Sequence, residues 1–213
     1  AVVVEGPMAG GHLGYNKEEL SNANFVKHGL GDIVKSVRET LKPFEQNAGR
    51  RIPVIVAGGI FYGGDIRRAV EDWGVEGVQM ATRFVCTDEC DADLRFKQEY
   101  IDCKNPEDII LIDSPVGMPG RAIRNKFLLD VLEGKKHPLG CIYRCLDPCN
   151  KPENSDNPPP YCIARALIDA QKGRLETGFA FSGANAYLCD EIIPVAELVR
   201  RLDIEYAENK RSD

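Results

Sequence analysis

Apolar and polar positions along the chain switch repeatedly between a short continuous run and a helical spacing. Ala1 to Val4 is an apolar, mostly β-branched run that reads as a buried strand. It empties into Glu5-Gly6-Pro7-Met8-Ala9-Gly10-Gly11-His12-Leu13-Gly14, a loop almost without large side chains. From Gly31 to Asn47 apolar residues recur at Ile33, Val34, Val37, Leu41 and Phe44, the spacing of one helix face. Pro53 to Ala57 is a second buried strand, stopped by Gly58-Gly59, and Asp65 to Trp73 is an amphipathic helix ended by Gly74. Val75 to Met80 reads as a third strand, followed by Ala81-Thr82-Arg83-Phe84, and Asp91 to Asp102 as a helix.

This alternation of strand, loop and helix predicts βαβ units, hence an α/β fold with a parallel sheet covered by helices. Ligands in such sheets bind beyond the carboxyl ends of the strands. The loops after all three strands lie there and can converge on one ligand. Beyond residue 105 the pattern loosens. Ile109 to Ile112 predicts a short strand, Arg121 to Leu132 a helix, Tyr161 to Gly173 a helix, and Val195 to Leu202 a last helix. Between them lie a Pro- and Cys-rich excursion, Pro138 to Pro160, and a loop from Gly178 to Tyr187. The polar stretch Glu205 to Asp213 reads as a frayed tail.

Composition narrows the partners. With 43% hydrophobic and 28% charged residues and a net charge of -6, the chain is suited neither to nucleic acid nor to an anionic membrane. No run approaches the ~20 apolar residues of a membrane span, and the first residues lack the charged start of a secretion signal. Cytoplasm is the default. The chain opens in mid-strand without an initiator Met, so it reads as a fragment of a longer protein. A homo-oligomer stays open.

The opening loop is the first chemical candidate. Glycines let a flat or anionic ligand approach the backbone, and His12 supplies a proton carrier near neutral pH. The plainer alternative is a glycine-rich turn with an exposed His, and Gly58-Gly59 can likewise be a simple strand-to-helix turn. His28 and His137 lack such a setting. Asp88, Glu89, Asp113 and Asp147 form no paired-carboxylate pattern, Arg83 suits a carboxylate partner as well as a phosphate, and Trp73 reads as core. Eight cysteines point to reduced thiols or metal ligands rather than bridges. Cys141, Cys145, Cys149 and Cys162 are the candidate zinc or iron-sulfur ligands, against a labile disulfide or unligated thiols. Cys86, Cys90, Cys103 and Cys189 read as packing residues.

Glu5-Gly6 with Ala9-Gly10-Gly11-His12, then Val56-Ala57-Gly58-Gly59-Ile60, then Gly77-Val78-Gln79-Met80-Ala81-Thr82-Arg83-Phe84 resemble, in this order, the nitronate monooxygenase family. That family, once called 2-nitropropane dioxygenases, includes FMN-dependent enoyl-acyl-carrier-protein reductases. The resemblance continues through Thr87-Asp88-Glu89-Cys90, Gly120-Arg121-Ala122-Ile123-Arg124-Asn125, Gly183-Ala184-Asn185-Ala186 and Pro194 to Val199. It implies the C-terminal part of an FMN-binding (β/α)8 TIM barrel in residues 1–137 and closing helices in 163–213; the Cys/Pro-rich stretch 138–162 lies outside the resemblance and reads as an insertion. It implies His12 as catalytic base, Gly10 and Gly11 against the flavin ring, and Gly58, Gly59, Gln79, Met80, Ala81 and Thr82 at the FMN phosphate. Many members have glycine where Ala81 stands. The activity implied is oxidation of small alkyl nitronates by O2 to a carbonyl compound and nitrite. The alternatives are an NAD(P)H-dependent enoyl-thioester reductase on the same flavin loops, and a non-catalytic metal- or partner-binding fragment.

Overall fold

The computed structural model describes residues 1–135 and 159–212, together with Cys145 and Cys149. The three predicted strands form one parallel sheet. Strand β1 (Val2–Glu5) pairs with β3 (Val54–Ala57), and β3 with β4 (Gly77–Gln79), in the order β1-β3-β4. Val4 lies opposite Val56, and Glu5, Ala57 and Gln79 finish level with one another. All three loops therefore leave from one edge of the sheet.

The crossover between β1 and β3 is longer than its periodicity indicated. After helix α1 (Lys17–Ser21), helix α2 runs from Ala23 to Ala48 and begins eight positions before the expected Gly31. Asn22 accepts a hydrogen bond from the Phe25 amide and so satisfies the first turn. Gly49, at φ 63°, ends the helix in the left-handed conformation that glycine adopts freely. Helix α3 (Gly63–Arg67) continues through a single π-helical turn, Arg68–Asp72, into Trp73. Val4, Leu30, Val34, Leu41, Val54, Val56, Ala69 and Val75 fuse α2, α3 and the sheet into one core cluster, with Trp73 packed against it as expected.

A second sheet, antiparallel, corrects the all-parallel expectation. β2 (Gly11–His12), β5 (Ile109–Asp113) and β6 (Pro119–Ile123) assemble in the order β2-β6-β5. The predicted helix from Arg121 is thus a strand over its first residues, and helix α6 (Lys126–Leu132) starts only after Asn125, which caps it. The reason is the hairpin turn after Asp113. Gly117 takes φ 81°, the Ser114 amide donates to the Met118 carbonyl, and the returning chain closes the ladder on β5. Short helices α4 (Thr82–Val85) and α5 (Leu94–Asp102) precede this sheet. Helices α7 (Ile163–Gln171) and α8 (Val195–Glu208) follow it.

The tail is not frayed. α8 continues to Glu208, buries Glu205 and packs so tightly on α3 that a Cβ at Gly63 would stand 2.0 Å from the Leu202 carbonyl oxygen. Cys86, Cys103 and Cys189 are buried packing residues, as expected, while Cys90 is half-buried. Most of 138–162 lies outside the described residues, and with it Cys141 and Asp147; so does His137. Among the described residues, no group of three or more His, Cys, Asp or Glu side chains could hold a metal, and no helix is long and apolar enough to cross a membrane.

Candidate active site

The carboxyl ends of β1, β3 and β4 open into a cleft of about 290 Å³. Gly10, Gly11, Gly58, Gly59, Gln79, Met80, Ala81 and Thr82 all line it, so the structure brings together residues from three separate loops. Gly58 and Gly59 take φ 87° and 83°, a left-handed pair that side chains resist. Among the described residues, no other group accepts from the amides of Gly58, Gly59, Met80 and Ala81. Ala81 has φ −125°, so its methyl meets none of the strain that a positive φ would impose.

A fourth segment, Phe181 to Asn185, completes the cleft. The sequence presents it as a small-residue loop, and its place in the site is set by contacts that only folding makes. The Ala184 amide donates to the Met8 carbonyl at 3.0 Å, the Gly183 amide to Thr82 Oγ1 at 2.9 Å, and Asn185 Nδ2 to the Gly59 carbonyl at 3.1 Å. Gly10 is a glycine because of this loop. A Cβ there would stand 2.5 Å from the Ser182 carbonyl carbon and 2.6 Å from the Gly183 nitrogen. At Gly11, by contrast, nothing lies within 4 Å of a Cβ. Among the described residues, Ser182 Oγ is buried with no hydrogen-bond partner, an arrangement that ordinarily carries a cost.

Behind the opening loop stands Arg121, 6% exposed, which donates to the carbonyls of Pro7 and Ala9 at 2.7 and 2.5 Å. Burial pulls its pKa down to about 10. Its strand position, facing Gly11 across the ladder, explains why helical periodicity missed it. Glu5 also lines the cleft, with its carboxyl pushed up by burial. Arg83 does not line the cleft and is paired with Glu205.

His12 is beside the cleft rather than in its lining. It follows Gly11, and its ring meets Phe181, a lining residue, edge-on with centroids 5.0 Å apart. Its Nε2 lies 2.7 Å from Ser114 Oγ, and burial lowers its pKa from 6.5. Of the candidate metal ligands, Cys145 is exposed and Cys149 and Cys162 are half-buried.

The family model for nitronate monooxygenase matches residues 1–205. The chain belongs to the nitronate monooxygenase family. A nitronate monooxygenase of Pseudomonas aeruginosa is 30% identical over 204 residues, covering 95% of this chain and 50% of that protein. A probable nitronate monooxygenase of Staphylococcus saprophyticus is 30% identical over 127 residues, covering 60% of this chain and 32% of its own length. Among solved structures, FabK from Thermotoga maritima is similar with a TM-score of 0.66 at 27% identity, over 97% of this chain and 54% of that one. A nitroalkane oxidase from Streptomyces ansochromogenes is similar with a TM-score of 0.62 at 25% identity, over 98% and 52% of the two chains. The chain spans about half the length of the Pseudomonas aeruginosa protein and of the two solved structures.

Proposed function

We propose that this chain is the C-terminal part of an FMN-binding (β/α)8 barrel that oxidises small alkyl nitronates with O2 to a carbonyl compound and nitrite. The observation that carries this reading is the convergence of the four small-residue loops on one cleft, whose amides at Gly58, Gly59, Met80 and Ala81 have no acceptor among the described residues. The left-handed Gly58-Gly59 pair and the orphaned Ser182 hydroxyl suit a polar, phosphate-bearing ligand held against the backbone. When bound, FMN supplies the redox chemistry, accepting electrons from the substrate and passing them to O2.

In this reading the amides of Gly58, Gly59, Met80 and Ala81 and the Thr82 hydroxyl hold the phosphate end. Gly10 and Gly11 would keep the first loop thin beside a flat ring, and Phe181 would form one wall of the site. The buried charge of Arg121, compensated only by carbonyl dipoles among the described residues, favours an anion in front of the loop that it braces. His12 carries the proton: it removes one from a carbon acid, or in its charged form offsets an anionic nitronate.

Flavin absorbance of the purified protein and turnover of a propyl nitronate test the assignment. A colourless protein that FMN does not reconstitute overturns it in favour of a non-catalytic fragment. Rapid anaerobic bleaching by NADH with no nitronate turnover overturns it in favour of a reductase acting on an enoyl thioester. Metal analysis of the same preparation decides whether Cys141, Cys145, Cys149 and Cys162 form a zinc or iron-sulfur site.

A further inference from the structure

We infer that Ser114 is the positioning residue of His12, selecting which ring nitrogen carries the working proton. Ser114 is 6% exposed and sits in the β5–β6 turn, fixed by its amide to the Met118 carbonyl and by its carbonyl to the Gly117 amide. It reaches His12 from 102 positions away, with Oγ and Nε2 2.7 Å apart. The ring also packs edge-on against Phe181, with centroids 5.0 Å apart.

The chemistry follows from the hydroxyl. In the inferred arrangement the serine oxygen accepts Nε2–H from the neutral ring and, more strongly, from the imidazolium. The hydrogen bond survives both states, and the proton is gained and lost at Nδ1, the nitrogen that Ser114 leaves open. The other charged groups on the elements around the ring are Arg121 on β6, Glu5 at the end of β1, and Asp113 on β5, which is paired with Lys17. None of them is hydrogen-bonded to His12.

The inference rests on the reading of His12 as proton carrier, and its test separates the two. In the flavin-loaded full-length protein, 15N NMR of the ring, assigned by its loss in His12→Ala, is expected to show the Nε2–H tautomer. Ser114→Ala removes the acceptor, so the tautomers mix and the imidazolium, losing a charge-assisted bond, becomes more acidic. The acid limb of kcat/KM moves to lower pH in step, and kcat falls roughly three- to tenfold with KM little changed. Ser114→Thr, which keeps the hydroxyl, restores all three. Ser114→Cys, close to serine in size and a weak acceptor, replaces the alanine variant if that one does not fold. An unchanged tautomer and ring pKa in Ser114→Ala overturns the positioning role. Full turnover by His12→Ala overturns only the proton-carrier reading, and the NMR comparison still decides what Ser114 does.

Discussion

Arg83 and Glu205, 122 positions apart, form a two-point ion pair, with Nη1 to Oε2 at 2.7 Å and Nη2 to Oε1 at 2.8 Å. The same carboxylate accepts from the Gly63 amide at 3.0 Å. One buried charge pair thus ties α4, which leaves the cleft, to α8 and the start of α3.

Removing one partner strands the other in a largely buried setting. Arg83→Met is expected to lower stability by about 3 kcal/mol in chemical denaturation, and flavin content should fall less than stability. Burial raises the Glu205 carboxyl, but Arg83 and the Gly63 amide outweigh it and hold the pKa below the usual 4.5. A carboxylate with a depressed folded pKa contributes stability above its unfolded value and loses it as pH falls through the folded one. Wild-type stability should therefore decline below pH 4.5 more steeply than that of Arg83→Met.

Gly10→Ala places a methyl against the backbone of Ser182 and Gly183. Backbone cannot swing aside as a side-chain tip can, so the two loops must part. The expected cost is about 1–3 kcal/mol in denaturation, with weaker FMN binding in a fluorescence titration.

Gly58→Ala combines a positive φ with a Cβ 2.8 Å from the Ala9 nitrogen, whereas Gly11→Ala meets only the positive φ. Alanine at Gly11 should cost about 1 kcal/mol. At Gly58 the loss should exceed that, and it should remove FMN affinity as well. Equal effects at the two positions would show that the close approach between the first two loops does not shape the site.

With a neutral nitroalkane, from which a proton must be removed, the active form of His12 is the uncharged ring. Burial lowers its pKa from 6.5, so kcat/KM should rise with pH through an inflection below 6.5 and level off above it. His12→Ala should lower turnover by roughly 10²-fold or more while FMN content holds. Steady-state kinetics against pH beside an absorbance ratio checks both.

Much of the parallel half was legible because local signals there agree with the tertiary outcome. Val54 to Ala57 is apolar and β-branched, ends in two glycines, and becomes a central strand with both neighbours parallel. The candidate cofactor residues of all three loops were visible from strand ends and glycines alone. Arg121 to Ile123 misled, because a short strand preceding a helix carries too few residues to show its own period. The Phe181–Asn185 wall was hidden for another reason: small residues signal only that something is close, and the partner is far away in the chain.

The sequence by itself determined that βα units end in three glycine- or small-residue loops and that an imidazole stands beside the first. Folding alone sets Gly10 against the Ser182 backbone, Arg83 against Glu205 and His12 against Ser114. Those three pairings join residues 102 to 172 positions apart and are chosen by which surfaces meet when the sheets close. Hydrophobic period and turn chemistry act over a few residues and carry no information about that meeting.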